Sequence, residues 1–116
     1  MNEIRQGQVY WLDIGLTRGS APAERHPCVV VQNDIFNQSA IRTSVVCLIT
    51  SNLGRADAPG NVPLKKGEGN LPKASVVNIS QILTVDKTEL VEYVGKITPA
   101  AAAAVNEGLH LLFDRP

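Results

Sequence analysis

The chain has 116 residues, 44% of them apolar, and its 11 basic side chains balance its 11 acidic ones. This length accommodates one compact domain, and the charge balance excludes a basic tail or a global positive field. No apolar run is long enough to span a bilayer, and the N-terminus lacks a signal-peptide core, so we expect a cytoplasmic protein without membrane contact.

Residues 8–97 are predicted to form short strands separated by turns. In chain order, β-type runs predict strands at 8–14, 27–32, 43–50, 61–64, 75–79 and 82–85, and a less regular one at 91–97. A loop rich in Gly, Pro and Ala covers 16–26, and a polar connection follows the second strand. Pro63 confines the 61–64 strand to an edge of the sheet.

The last part of the chain predicts one helix. Thr98 is a suitable N-cap and Pro99 a suitable first helical residue, followed by an alanine run. Gly108 either weakens this helix or permits a close contact. Four apolar residues form one stripe that can pack on a sheet: Val105, Leu109, Leu112 and Phe113. Together these elements predict a mainly β (α+β) fold, a small curved antiparallel barrel with a C-terminal helix.

The cysteines and most aromatic or histidine positions favour structural roles. Cys28 and Cys47 lie within apolar runs without metal-ligand spacing, so we expect buried, reduced thiols and no metal site. A nucleophilic Cys28 assisted by a neighbouring histidine stays open as an alternative. Of Tyr10 and Trp11, either could stack a base, but one of them is expected to fill the core. His110 is expected to be exposed.

Polar side chains gather at the predicted strand ends. Arg25 and His26 directly precede Pro27 and the second strand, and Thr50 ends the third. Arginine can stabilise developing negative charge, and histidine can move a proton near neutral pH. With Ser20, Ser51 and Asn52 these three residues form a polar group at the strand ends, in which Arg25 and His26 could hold a reactive group. The alternative is that the segment 50–52 forms only a turn, for which Thr, Ser and Asn are suited.

Several segments in a fixed order resemble the MazF/PemK family of toxin endoribonucleases. They are Gly7-Gln-Val-Tyr-Trp-Leu-Asp13, Gly19-Ser20, His26-Pro27 with the following Val-Val-Val-Gln-Asn-Asp34, Ile49-Thr50-Ser51, and Ser75-Val-Val-Asn-Ile-Ser-Gln81. The resemblance implies a single SH3-like β-barrel toxin domain over 1–116 that forms a homodimer. It also implies cleavage of single-stranded mRNA without metal or cofactor, and neutralisation by an antitoxin whose flexible segment occupies the RNA groove.

The resemblance also implies site residues, with one departure. Family members usually carry a functional arginine directly before the proline, where this chain has His26. Either His26 replaces the arginine as an acid–base group, or Arg25 is swung in by a local irregularity, or activity is impaired. Successive side chains of an extended segment point to opposite faces, so we expect only one of the pair in the pocket. The resemblance implies His26, Arg25 and Thr50 as catalytic residues. The expected substrate-binding residues are Ser20, Ser51, Asn52 and Gln81.

Two other functions remain open for this kind of barrel. One is a CcdB-like gyrase poison, which binds protein and cleaves nothing. The other is a non-catalytic SH3-like interaction module with a vestigial site.

Overall fold

The computed structural model describes residues 3–13 and 25–115 and shows one antiparallel sheet with a C-terminal helix. The strands are β1 (Gln8–Asp13), β2 (Arg25–Val30), β3 (Thr43–Thr50), β4 (Val62–Leu64), β5 (Ser75–Asp86) and β6 (Glu92–Lys96). Their order in the sheet is β4-β5-β3-β2-β1-β6. The helices are α1 (Asp34–Asn37) and α2 (Pro99–Phe113), with 3-10 turns at Leu53–Asp57, Glu68–Asn70 and Lys87–Glu89.

Irregular pairing curls this sheet into a half-barrel. Cys47 of β3 pairs with Ile82, but Ile49 pairs with Val77, so more residues of β5 than of β3 lie between the two pairs. Extra residues on one strand bend it and increase its twist. The predicted strands at 75–79 and 82–85 are therefore one bent strand, and the predicted break between them is the bend.

A tight turn links the two edges of the half-barrel. The turn Glu68–Asn70 follows β4 and packs against β6, where Asn70 Nδ2 donates a hydrogen bond to the Val94 carbonyl oxygen over 3.0 Å. Gly95 permits this approach, because a Cβ at this position would lie 2.7 Å from the Asn70 Cβ. The predicted class is thus confirmed: a small, curled, antiparallel β-fold with a C-terminal helix.

The sheet buries apolar side chains on both faces. Along β1, Val9 belongs to a cluster that α2 covers through Val105, whereas Tyr10 and Leu12 belong to a second cluster on the opposite face. The two faces alternate because successive strand residues point in opposite directions. Tyr10, only 1% exposed, is therefore the aromatic residue that fills the core.

The helix α2 begins as predicted but packs over a shorter length. Thr98 Oγ1 accepts a hydrogen bond from Ala101 N at 3.3 Å, and Pro99 is the first helical residue. Val105 and Gly108 are buried, but Leu112 and Phe113 are exposed, so the predicted stripe is wrong for the last turn. The helix docks through its middle, and its last turn lies beyond the buried contact. His110 is exposed, as predicted.

The second strand and the connection after it differ most from the prediction. β2 begins at Arg25 because Arg25 and His26 pair with β1, opposite Asp13 and Leu12. The polar connection after β2 contains α1, whose N-cap Asn33 accepts a hydrogen bond from the Ile35 N–H. The predicted end of the first strand at Ile14, and most of the predicted loop, lie outside the described residues. None of the helices in the described ranges is both long and apolar enough to cross a membrane.

Candidate active site

A cavity of about 260 Å³ lies where β2 begins, β3 ends and β5 begins. Its wall includes Arg25 and His26 from β2, Thr50 and Ser51 at the end of β3, and Lys73 just before β5. Trp11, Pro27, Ile49, Leu71, Pro72 and Ser75 complete the lining. The structure therefore brings together four of the residues that the sequence analysis selected.

The local sequence explains why the cavity opens here. The paired residues of β2 and β3 end at Cys28 and Leu48, next to Pro27, which has no N–H to donate to a neighbouring strand. Beyond this point, in the described part of the chain, β2 pairs only with β1, and β3 only with β5, so the two strands are no longer paired with each other. Thr50 Oγ1 accepts a hydrogen bond from Asn52 N at 3.1 Å, which fixes its hydroxyl group at the strand end. The same hydroxyl retains its proton to donate.

Arg25 and His26 reach the cavity from opposite faces of the sheet. Arg25 is paired with Asp13, and His26 with Leu12, so their side chains alternate in a regular strand. Both nevertheless line the cavity. The cavity therefore borders both residues, which differs from the expectation that only one of the pair would enter it.

His26 and Thr50 meet at the cavity and not as a strand pair. The pairing of β2 with β3 extends only to Cys28 and Leu48, but both His26 and Thr50 line the cavity beyond that point. His26 lies opposite Leu12 of β1 and alternates in direction with Arg25. Arg25 lies on the other face, where its guanidinium carbon is 5.3 Å from the centre of the Trp11 ring. There it forms ion pairs with Asp13, at 3.8 Å, and with Glu92.

Of the predicted substrate-binding residues, the structure places only Ser51 at the cavity, within the described part of the chain. Ser51 lines the cavity, but Asn52 instead caps the turn Leu53–Asp57, where its Oδ1 accepts a hydrogen bond from Gly54 N at 3.1 Å. Gln81 is exposed at the bend of β5 and is not among the described residues that line the cavity. Ser20 lies outside the described residues.

Lys73 is a cavity residue that the sequence analysis missed. It lies in the loop before β5, and Thr50 pairs with Val76 of that strand, so the loop returns beside the end of β3. The Ser75 hydroxyl donates a hydrogen bond to the Lys73 carbonyl oxygen at 2.9 Å and orders this return. A predicted antiparallel pairing of 43–50 with 75–79 would have revealed it.

The charges of the site favour an anion. The described lining contains an arginine, a histidine and a lysine but no carboxylate. Phosphate oxygens are bound by such groups in proteins. Within the ranges 3–13 and 25–115, no cluster of three or more His, Cys, Asp or Glu side chains is arranged to hold a metal ion.

The cysteines do not contribute to this cavity. Cys28 and Cys47 are buried free thiols, as predicted, and Cys28 packs in the apolar cluster with Tyr10 and Leu12. Burial raises the pKa of the Cys28 thiol to about 12 and that of Cys47 to about 11. Because the thiolate is the nucleophile, this environment argues against the alternative of a nucleophilic Cys28.

Comparison with known proteins identifies the family. The family model described as "PemK-like, MazF-like toxin of type II toxin-antitoxin system" matches residues 5–113. Endoribonuclease MazF6 of Mycobacterium tuberculosis is 40% identical over 111 residues, which cover 96% of this chain and 97% of that protein.

Solved structures agree in fold. An endoribonuclease in complex with its cognate antitoxin, from a mycobacterial species, is similar with a TM-score of 0.77 at 28% identity, covering 97% of this chain and 99% of that one. A MazE–MazF structure from Deinococcus radiodurans has a TM-score of 0.81 at 18% identity, covering 100% of both chains. The family model and the 40% identical relative favour the nuclease over a gyrase poison or an interaction module. The chain belongs to the MazF/PemK family of toxin endoribonucleases of type II toxin–antitoxin systems.

Proposed function

We propose that this chain cleaves single-stranded mRNA at short sequences, by attack of the RNA 2′-OH on the adjacent phosphorus. The P–O5′ bond breaks, leaving a 2′,3′-cyclic phosphate and a 5′-OH. The observation that carries the proposal is the cavity at the start of β2 and the end of β3. Its lining includes a threonine hydroxyl, an imidazole and two basic side chains, Arg25 and Lys73. The reaction is expected to proceed without a metal ion.

This reaction requires three kinds of group. One accepts the 2′ proton, one donates a proton to the leaving 5′ oxygen, and others hold the charge that develops on the phosphorane. His26 serves as the acid–base group, and the Thr50 hydroxyl donates to a non-bridging phosphate oxygen. Arg25 and Lys73 provide positive charge, for which arginine is suited because it stays protonated.

The chemistry of the two side chains supports His26 rather than Arg25 as the proton-transfer group. Both line the cavity together with Thr50, and Arg25 forms ion pairs with Asp13 and Glu92. Arginine is a poor base at ordinary pH, whereas an imidazole can accept and donate a proton. Arg25 therefore contributes charge, and the chain uses histidine in the position where its family usually has arginine.

The proposal extends to the substrate strand and the partners. Ser51 lies in the cavity wall and is assigned to the RNA backbone, together with the loop residue Ser20. Asn52 and Gln81 lie outside the wall and are assigned to flanking nucleotides. Solved relatives include complexes with a cognate antitoxin. We expect the chain to act as one domain over 1–116, as a homodimer, and to be blocked by an antitoxin segment that covers the same cavity.

The test is a cleavage assay with chemically defined ends. The purified chain is incubated with a long single-stranded RNA in excess chelator, beside its Thr50→Ala variant. Discrete fragments that carry 2′,3′-cyclic phosphate and 5′-OH ends, produced only by the unaltered chain, support the proposal. Intact RNA, or fragments that appear only when divalent metal is added, refute it.

A further inference from the structure

A second cavity, of about 390 Å³, adjoins the first and shares Trp11 and Arg25 with it. Its other described lining residues are Asp13, Glu89, Val91 and Glu92. We call it the Trp11 pocket. The side chains of Trp11 and Arg25 therefore lie between two cavities: the candidate active site, which we call the cationic cavity, and a pocket rich in carboxylates.

The charges of the Trp11 pocket select against a phosphate. Three carboxylates line it, and each would repel an anion. A group that fits this lining is planar, stacks on an indole ring and donates hydrogen bonds to carboxylate oxygens. Nucleobases that carry an exocyclic amino group have these properties, and aromatic stacking is a general means of holding single-stranded bases.

In the structure, the Arg25 side chain occupies the place of such a group. Its planar guanidinium lies 5.3 Å above the centre of the Trp11 ring and forms ion pairs with Asp13 and Glu92. These side chains are 48% exposed for Arg25, 69% for Asp13 and 55% for Glu92, and ion pairs at such exposure are weak and readily exchanged. Because Arg25 also lines the cationic cavity, it can turn to a phosphate there while its chain stays in place.

We propose that the Trp11 pocket binds one amino-bearing base of the RNA, stacked on Trp11 with its amino group donating to Glu92. When the base binds, the Arg25 side chain moves out of this pocket and contacts the phosphate in the adjoining cavity. Glu89 has a different part, since its Oε1 accepts a hydrogen bond from Asp86 N at 2.9 Å within a helix-capping arrangement. The inference rests on the proposed function in one respect, that the ligand is an RNA strand.

The test exploits the fact that Trp11 is the only tryptophan of the chain. Its fluorescence is titrated with 2′-O-methyl oligonucleotides of adenine, cytosine or uracil, which lack the attacking hydroxyl and cannot be cleaved. An abasic oligomer of equal length measures the response to the phosphate backbone alone. We expect adenine and cytosine oligomers to quench Trp11 and to bind about tenfold more tightly than uracil, the size of a lost hydrogen bond to a charged group.

The variant Glu92→Gln makes the test specific. A glutamine amide both accepts from an amino group and donates to a uracil carbonyl, so base discrimination should fall to within about twofold. Glu107→Gln is the matched control, because Glu107 is an exposed glutamate on α2 and should leave discrimination unchanged.

Two results overturn the inference: equal quenching by all three oligomers and the abasic strand, or undiminished discrimination in Glu92→Gln. Because these oligomers are not cleaved, the binding result is independent of the proposed reaction. A chain that discriminates bases through Trp11 but leaves ordinary RNA intact would refute the nuclease mechanism and keep the pocket.

Discussion

Gly108 of α2 packs directly against the backbone of Gly60, in the turn before β4. A Cβ at Gly108 would lie well inside contact distance of the Gly60 carbonyl oxygen and 2.9 Å from the Ile79 Cγ1. The neighbouring oxygen belongs to the backbone, so it cannot move aside as a flexible side chain can. This contact sets how closely the helix approaches the sheet.

Gly108→Ala is therefore expected to destabilise the protein, although alanine is the better helix former. The intrinsic gain in a helix is about 1 kcal/mol, whereas overpacking of a close contact typically costs about 1–3 kcal/mol. Because the obstructing atom is a backbone oxygen, we expect a cost of about 2–3 kcal/mol and therefore a net loss of about 1–2 kcal/mol in the free energy of unfolding, measured by urea denaturation. Asn106→Ala, at an exposed position of the same helix, should be neutral or slightly stabilising. Equal or greater stability of Gly108→Ala would show that the helix can shift outward at no cost.

Thr50→Ala should remove cleavage while the fold persists. The Thr50 hydroxyl accepts a hydrogen bond from Asn52 N, which leaves its proton for the substrate phosphate. Removal of one fixed donor to a developing oxyanion costs about 10²- to 10³-fold in rate. Thr50→Ser retains the hydroxyl and should keep most of the activity. A Thr50→Ala variant with unchanged kcat, and unchanged circular dichroism, would contradict the assignment.

The roles of Arg25 and His26 can be separated by substitution. His26 is assigned the proton transfer and Arg25 the stabilisation of charge. General acid–base assistance typically contributes about 10²- to 10⁴-fold in rate, so we expect His26→Ala to abolish detectable cleavage in a single-turnover assay. Arg25→Ala should be less damaging. Full activity in His26→Ala would transfer the central role to Arg25.

Local sequence signals were sufficient for most of the fold. Strand β3 and the start of α2 follow from β-branched runs and from the Thr98-Pro99 cap, and their bounds match the prediction. The exposure of the last turn of α2 could not be predicted, because the helical spacing of Leu112 and Phe113 does not indicate where the sheet beneath the helix ends. The bend of β5 was likewise read as a break, because a register shift depends on the partner strand.

The candidate site was only partly predictable for the same reason. Thr50 and Ser51 were found because they end a strand, and Arg25 and His26 because they begin one. Lys73 has no local signal and joins the site only through the pairing of β5 with β3. Conversely, the polar side chain of Asn52 could bind a substrate, but in the structure it caps a turn. Only the hydrogen bonds of the folded chain show this role.

Asn37 links α1 to the sheet through an amide group that is nearly fully buried. Its Oδ1 accepts hydrogen bonds from Gln32 Nε2 at 2.9 Å and from the buried Ser44 hydroxyl at 2.8 Å. Its Nδ2 donates to the Gln32 carbonyl oxygen at 2.8 Å and to Asp34 Oδ1 at 3.1 Å.

Asn37→Ala should thus lower the free energy of unfolding by about 2–3 kcal/mol, because buried partners lose their hydrogen bonds. Gln38→Ala, at the exposed next residue, is the control and should change stability little. Denaturation of both variants under the same conditions decides the matter. A loss below about 0.5 kcal/mol for Asn37→Ala would mean that water replaces the amide.

The Cys28 thiol should make stability fall at alkaline pH. Burial raises the pKa of Cys28 to about 12, whereas a thiol in the unfolded chain ionises near about 8.5. Below the unfolded pKa both states are protonated and the thiol has no effect. Above it only the unfolded state loses its proton, so unfolding becomes easier by about 1.4 kcal/mol for each further pH unit until the folded thiol ionises.

Between pH 8 and pH 10 we therefore expect the unaltered chain to lose roughly 2 kcal/mol more stability than Cys28→Ala does. Cys28→Ala will start from a lower stability at pH 7 because it leaves a small cavity, so the comparison concerns the slope with pH. The same variant should cleave RNA at the normal rate, since Cys28 packs in the apolar cluster away from the cavity. Parallel slopes would place the thiol in contact with solvent, and lost cleavage with intact folding would restore Cys28 as a reactive group.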